Sequence, residues 1–454
     1  MKMNSTMKRR TFLNTAGKGL AAGFAAPYIL SSCSNGANSN IHIGHIGVGS
    51  MGSGVLHRWL MPTTGTMNVA ACDPFQDRRD RAAQFIDKTY KDKEVKAPKC
   101  QAYLDLEELL ERKDIDAVAI TTPDHWHVPA AIKAARAGKH ILLAKPLGLS
   151  YPNYKILEKE VAASGVTLHY GTQQRAQEHM KVAVGMIKEG KIGKIEHVEA
   201  WAPGKNPVES PQCHEVPVPN GFDFDKWTGP APLNSYCPER VTNNASWFQW
   251  DYSIGFLGGW GAHPLDIMIW ALKDQMDGEY TCEGTGTFWE PGGIYNNVYS
   301  WDVNYAYKSG IKLRFMSTDV VEAKDVWSYR NAKEGNTTTF FGEKGWISVG
   351  RHSAESSVPE INTRFREFPR DEKNGRIIDH GSRTGQEFID VINGKISPTN
   401  PLDEAILSDC VSHMGNIAIR TGRKITWDPS QGKVVNDEEA NNWFVREMRE
   451  PYSV

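Results

Sequence analysis

No aspartate or glutamate occurs in the first 72 of the 454 residues. The opening 33 residues nevertheless carry Lys2, Lys8, Arg9, Arg10 and Lys18, and setting those five aside leaves 47 bases against 54 acids. A basic head therefore precedes an acidic body. The chain as a whole has no basic surplus, with 52 Lys and Arg against 54 Asp and Glu, which argues against a nucleic-acid binder. It has no apolar run long enough for a bilayer. The apolar stretch 20–30 is far shorter than the ~20 residues a spanning helix needs, and no later segment is apolar enough. None of the seven cysteines forms C-x-x-C, which excludes zinc ribbons and thioredoxin-like motifs. The 41 glycines and 24 prolines follow no fixed period, so a collagen-like chain is excluded. Hydrophobic residues at 40% against 23% charged exclude a disordered one and allow a sizeable core.

The stretch 20–30 has the length of a signal-peptide core. Arg9-Arg10 ahead of it resembles a twin-arginine export signal. Leu30-Ser31-Ser32-Cys33 resembles a bacterial lipoprotein cleavage box in which Cys33 takes the lipid. Residues 1–33 are thus expected to be a signal peptide and 34–40 a polar tether. The location implied is the periplasm, free or anchored to the membrane by lipid alone. The other six cysteines are expected to be mostly buried free thiols.

From residue 41 short apolar runs alternate with helical stretches. The runs fall at 41–46, 67–72, 116–121, 140–143 and 166–170. That alternation predicts a parallel sheet covered on both faces. After Gly190 the texture changes, and alternating stretches at 195–201, 280–289, 298–307 and 312–315 predict a largely antiparallel sheet. The Pro- and Trp-rich segment 203–250 reads as a long ordered loop over a site. Helical patterns return at 264–272, 384–393 and 403–421.

Gly47-Val48-Gly49-Ser50-Met51-Gly52 is G-x-G-x-x-G, placed after a predicted strand and at the start of a helix. The first glycine makes the tight turn, the second admits a pyrophosphate to the backbone, and the third lets helix and strand pack closely. Asp73, the first acid of the chain, stands at the end of the second strand, where a ribose hydroxyl needs an acceptor. Its charge favours NAD over NADP, although Arg78 and Arg79 close behind would suit a 2′-phosphate and keep NADP possible.

Several segments together resemble the glucose–fructose oxidoreductase / inositol dehydrogenase / rhizopine catabolism family. They are 121–127 (Thr-Thr-Pro-Asp-His-Trp-His), 138–146, Gly171-Thr172-Gln173-Gln174-Arg175, 258–266 and 413–428. The resemblance runs over nearly all of 41–450. It implies a Rossmann domain at 41–172 and a C-terminal α/β domain at 173–454 with a large, mostly antiparallel open sheet. The terminal helices of the second domain would pack back on the first. It also implies a carbohydrate substrate over the nicotinamide, and a homo-oligomer.

Residue by residue, the resemblance puts Thr122, Pro123 and His127 along the dinucleotide, with Gln173 after the last Rossmann strand. The family's Glu-Lys-Pro falls on Ala144-Lys145-Pro146, so the lysine is kept and the acid lost. Lys145, held in a cleft, would have its pKa lowered by desolvation and would meet the reacting hydroxyl. The family's Asp-x-x-x-His-x-x-Asp reads Gly259, His263 and Asp266, so the first acid is again missing. His263 is then the expected general base, with Asp266 one turn on to orient its ring or bind substrate. Arg175 and the aromatic residues Trp247, Phe248, Trp250 and Tyr252 are expected at the sugar. His125 and His127, two apart with no cysteine or acid cluster, make a poor zinc pair, and no metal is expected.

The expected function is an exported NAD-dependent oxidoreductase acting on a hydroxyl of a sugar, cyclitol or sugar derivative. Outside the cytoplasm the cofactor would have to be held and recycled. One alternative is an NAD-dependent glycosidase that oxidises a ring hydroxyl transiently and hydrolyses overall. Another is a non-catalytic sugar-binding protein on a dinucleotide fold.

Overall fold

The computed structural model describes residues 40–204, 209–242, 244–378 and 383–454. The export head, the tether up to residue 39 and the candidate lipid site Cys33 lie outside them. Among the described residues two sheets form. The first uses β1 (Ile41–Ile46), β2 (Thr66–Cys72), β3 (Gln101–Tyr103), β4 (Ala117–Ile120), β5 (His140–Leu143) and β6 (Leu168–Tyr170). Their order is β3-β2-β1-β4-β5-β6, and every pair is parallel. Five of these strands match the apolar runs. β3 is an edge strand of three residues, two exposed and one half-buried, too short to show a period. From β1 the chain winds out to β3 and then returns to β4 on the other side. The crevice at the strand ends between β1 and β4 is where such sheets take ligands.

The second sheet uses β7 (Ile195–Ala202), β8 (Tyr280–Phe288), β9 (Val298–Tyr307), β10 (Lys312–Ser317), β11 (Thr337–Gly342), β12 (Gly345–Gly350), β13 (Ala354–Ser356), β14 (Ile425–Asp428) and β15 (Lys433–Val434). Their order is β13-β12-β11-β7-β10-β9-β8-β14-β15, antiparallel except where β7 meets β10. Along β9 Trp301, Val303, Tyr305 and Tyr307 are buried, the period of two expected of a sheet with one covered face.

The C-terminal helices return to the first sheet. Phe388 and Ile389 share a core with Ile41, Ile43, Val55 and Leu60. From the helix Leu402–Thr421, Asp409 accepts from the Leu147 backbone N–H at 3.2 Å and from the Tyr154 hydroxyl at 2.5 Å. The backbone just beyond Lys145 is thereby held from the far end of the chain.

After β7 the chain leaves its sheet and reaches the first one. The Phe75 and Phe222 rings stack with centroids 3.8 Å apart. The Gln76 N–H donates to the Gly221 carbonyl at 2.7 Å, and the Asp223 N–H to the Pro74 carbonyl at 3.1 Å. A disulfide, Cys213–Cys237, ties two limbs of this strap. Cys72, Cys100, Cys282 and Cys410 are buried free thiols, so the expectation for the cysteines meets one exception.

Candidate active site

The phosphate loop is built from glycines that do different work. Gly47 sits at φ +82°, and a Cβ there would lie 2.8 Å from the backbone of Thr121 and Thr122. A Cβ on Gly52 would lie 2.1 Å from the Gly47 carbonyl oxygen. Both are required by the protein's own packing. At Gly49 φ is −67°, and the nearest atom to a Cβ is the end of Arg78 at 3.4 Å. The middle glycine therefore faces open groove, which is where a pyrophosphate would need the backbone.

Asp73 fastens this loop to β2. Its carboxylate accepts from the Val48 N–H and the Phe75 N–H, each at 2.9 Å. It is buried, and burial pushes its carboxyl above the ordinary value against those two donors. A carboxylate has further lone pairs for a ribose hydroxyl. Arg78 lies over the Phe75 ring at 3.8 Å and borders the groove, whereas Arg79 donates to the Asp73 carbonyl.

The groove is a cavity of about 860 Å³. One wall holds the phosphate loop, Asp73, Thr122, Pro123, His127 and Lys145. The other holds Lys226, Trp227 and Trp247 from the strap, and Tyr452 from the chain end. The Thr122 hydroxyl is buried without a hydrogen-bond partner among the described residues, an unmet polar group in the wall. These features fit a bound dinucleotide. His127 has one ring nitrogen 2.6 Å from the Pro146 carbonyl and the other 2.8 Å from the Thr122 carbonyl, so it clasps the two strand-end loops together. Gln173 borders a small crevice shared with Met51, Ala144 and Lys145 and does not line the main groove.

Lys145 stands at the inner end. It is buried, and its Nζ donates to the Gly259 carbonyl at 2.7 Å, across to the C-terminal domain. Burial lowers its pKa to about 8; the Asp124 carboxylate opposes that shift and the Arg351 guanidinium adds to it. The rings of Trp247 and Trp260 lie 5.0 and 5.7 Å from Nζ. His263 is 1% exposed, and its Nε2 lies 3.2 Å from Nη2 of Arg351. A guanidinium only donates, so Nε2 is the acceptor and the proton of the neutral ring sits on Nδ1. Burial, with Lys145 and Arg351 beside it, holds the imidazole pKa well below its ordinary value. Nδ1 is buried with no hydrogen-bond partner among the described residues.

Four expected substrate groups are placed elsewhere. Arg175 and Asp266, each 1% exposed, are bound side chain to side chain by two hydrogen bonds of 2.8 and 2.6 Å, and the guanidinium also donates to the Asp266 carbonyl at 3.4 Å. Asp266 also accepts from Thr172 at 2.7 Å, and Arg175 pairs with Glu404 and the Thr399 carbonyl. They are a closed bolt between the turn after β6 and the helix Ala262–Met276, which Thr172 ties to the Rossmann domain; breaking one side of such a pair typically costs about 3–5 kcal/mol. Asp266 does not orient His263; Arg351 is the residue on its ring. Tyr252 is fully buried in the strap's own core with Phe222, Phe224 and Trp227. Trp250 lies under the guanidinium groups of Arg446 and Arg420, at 3.3 and 3.9 Å, beside a separate cavity of about 250 Å³.

Sequence reasoning missed Asp124, Trp260 and Arg351. Asp124 and Trp260 lie inside segments used for recognition, but nothing in their spacing distinguishes them. Arg351 follows β12, far from any motif.

Two family models match the chain. One, described as the oxidoreductase family's NAD-binding Rossmann fold, covers residues 41–172. The other, its C-terminal alpha/beta domain, covers 200–454. An alpha-N-acetylgalactosaminidase of Shewanella oneidensis is 32% identical over 165 residues, 35% of this chain and 34% of its own length. A glycosyl hydrolase family 109 protein of Shewanella pealeana is 29% identical over 218 residues, 44% of this chain and 46% of its own. The chain thus spans between a third and a half of these curated relatives. The WlbA dehydrogenase of Bordetella pertussis, crystallised with NADH and UDP-GlcNAcA, superposes with a TM-score of 0.58 at 15% identity, over 85% of this chain and 98% of that one. A scyllo-inositol dehydrogenase of Lactobacillus casei, with NAD(H) and scyllo-inositol bound, gives 0.56 at 16%, over 86% and 100%. At these identities the two structures show a shared fold.

The glycine geometry yields a test. Gly49→Ala should leave the unfolding midpoint of nucleotide-free protein nearly unchanged but weaken NAD binding by about tenfold or more, about 1.4 kcal/mol. Gly52→Ala should lower both. Calorimetric titration and thermal unfolding separate the two effects, and equal loss of stability in both variants would contradict the assignment.

Proposed function

This chain belongs to the Gfo/Idh/MocA oxidoreductase family and carries that family's NAD-binding Rossmann domain, and from that premise we propose that it works on a carbohydrate hydroxyl with a resident, internally recycled cofactor. The observation that carries the second part is the strap. It leaves the C-terminal domain, pins itself to the Phe75 loop and makes the outer wall of the groove. Lys226 forms an ion pair with Asp105 between the strap and the Rossmann wall, and both border the cavity. Release of a dinucleotide from such a groove requires undoing aromatic, ionic and backbone contacts together.

The phosphate loop, Asp73 and Thr122 would hold the cofactor. Bound NAD supplies a two-electron acceptor and donor for the hydroxyl-bearing carbon. The protein must supply the base. The Lys145 amine donates one N–H to Gly259 and, when neutral, keeps a lone pair for the hydroxyl proton. His263 has the opposite polarity: its Nε2 is occupied by Arg351, and its Nδ1–H is a donor for a substrate oxygen. The base assignment therefore passes from His263 to Lys145. Trp247 and Trp260 offer aromatic faces for the C–H faces of a sugar.

Net hydrolysis is the second reading, favoured by the names of the curated relatives. Gly259 adds to it. A Cβ there would meet the Trp247 ring at 3.6 Å, an ordinary contact, so the position beside Lys145 would take a side chain that this sequence leaves out. We propose as well that the enzyme works outside the cytoplasm. Arg9-Arg10 supports export of a folded, cofactor-loaded protein, and a strap disulfide suits an oxidising compartment.

Purified protein, once denatured, should release stoichiometric NAD(H). The double variant Phe222→Ala/Lys226→Ala should lose most of it during gel filtration while staying folded. Nucleotide-free wild type that does not bind added NAD would end this reading.

Reduction of bound NAD by sugars should rise with pH through a midpoint of about 8, because only the neutral amine accepts the proton. Lys145→Ala should slow that step by ~10²–10⁴-fold with nucleotide retained, and His263→Ala should slow it less. Glycoside cleavage without net change in bound NAD would select hydrolysis. Full activity in both variants would remove Lys145 and His263 from the chemistry, and sugar binding by wild type with no reduction of bound NAD would favour a sugar-binding protein.

Arg9→Lys with Arg10→Lys should keep the protein in the cytoplasmic fraction, and Cys33→Ala should free it from membranes. Cell fractionation reads both, and unchanged location in each would refute the export signal and the anchor.

A further inference from the structure

Asp124 opens the helix Asp124–Arg136 and is 3% exposed. Nothing in the sequence separates it from the two histidines that follow. In the fold it is the carboxylate that faces Lys145. Its Oδ2 accepts from the Ser253 hydroxyl at 2.6 Å and its Oδ1 from the Trp247 indole N–H at 3.3 Å. Both donors belong to the strap, so a Rossmann residue holds a C-terminal-domain segment over the groove.

The two donors lead to two of the lysine's protein contacts. Trp247 presents its ring to Nζ at 5.0 Å. Ser253 in turn accepts from the Gly255 N–H at 3.0 Å. Gly255, at φ +82°, precedes the short turn Phe256–Gly259, and its carbonyl accepts from the Gly259 N–H at 2.9 Å. The far end of that turn is the Gly259 carbonyl that receives Nζ at 2.7 Å. Asn297 reinforces the arrangement by donating to the Trp247 and Ser253 carbonyls at 3.0 and 2.9 Å. One carboxylate thus organises both the face and the carbonyl that Lys145 meets.

Charge leads to the same residue. The charged groups that act on Lys145 are Asp124, from the helix Asp124–Arg136, and Arg351 beyond β12; Lys145 acts in turn on His263, from the helix Ala262–Met276, and His127 acts on Asp124. Asp124 is the acid among them. We propose that Asp124 is the positioning residue of the site. It fixes Lys145 from two sides through Trp247 and the Ser253–Gly259 turn, and its negative charge sets how tightly the amine holds a proton. This rests on Lys145 as the proton acceptor. Burial disfavours the carboxylate, but the Ser253 and Trp247 donors and the Lys145 and His127 charges favour it. The same carboxylate holds up the lysine's affinity for its proton against burial and Arg351.

The test measures the lysine itself. NAD-loaded protein labelled with carbon-13 at lysine Cε would be titrated by NMR, with Lys145→Met identifying the resonance. Lys145 should titrate near 8 in wild type. Asp124→Asn keeps the shape and removes the charge, so Lys145 should lose its proton about one pH unit earlier, a tenfold fall in affinity. The pH midpoint of bound-NAD reduction should move down with it. Ser253→Ala leaves the carboxylate one donor short and should shift both in the same direction by less. Trp247→Phe keeps ring and charge but, like Ser253→Ala, costs the carboxylate one donor, and should shift the titration down by less than Asp124→Asn; a shift matching that of Asp124→Asn would assign the effect to packing and overturn the charge argument. Lys145 unmoved in both Asp124→Asn and Ser253→Ala overturns the proposal. If the resonance moves while the wild-type rate ignores pH near 8, the base assignment fails and the coupling stands.

Discussion

The buried Lys145 amine, held 2.7 Å from the Gly259 carbonyl across the two domains, is the constraint on which the rest of the site depends. Burial of an ammonium is unfavourable unless it is paired and hydrogen-bonded. The carbonyl supplies one bond, Asp124 the charge, and Trp247 and Trp260 the aromatic faces. None of these partners is adjacent to Lys145 in the chain. The amine can be a usable base only while the Rossmann strand ends and the C-terminal domain are locked in one relation.

Two buried devices maintain that relation. The Arg175–Asp266 bolt joins the turn after β6 to the helix that carries His263, and its oxygens and nitrogens are satisfied by Thr172, Glu404 and the Thr399 carbonyl. The Asp409 carboxylate holds the backbone at Leu147. These groups are polar and close to the chemistry, and for that reason they resemble substrate ligands in a sequence. Their charges are used up on one another. The strap adds a third contact, over the cofactor groove rather than within the domain interface, and the disulfide within it limits how far its limbs can separate.

Local pattern made much of the fold legible. Five parallel strands were readable because buried parallel strands are continuous apolar runs, and G-x-G-x-x-G was readable because its glycines answer to steric needs a few residues away. β3 and β11 to β15 were not, being short, at or toward a sheet edge, or built of Thr and Gly rather than alternating apolar residues.

The site divides along the same line. By itself the sequence determined the two-domain α/β plan, the phosphate loop with Asp73, and a lysine and a histidine at the cleft, because each of these rests on residues close together in the chain or on motifs kept as blocks. Only the tertiary structure decided that Arg175 and Asp266 neutralise each other, that Tyr252 and Trp250 face away from the groove, and that His263 presents a donor because Arg351 occupies its other nitrogen. It also decided that Asp124 is the acid facing Lys145. Each of these depends on which group lies within about 3 Å of another and on how much water is excluded between them, and neither quantity exists until segments distant in the chain, such as those of Arg175 and Asp266 or of His263 and Arg351, are packed together.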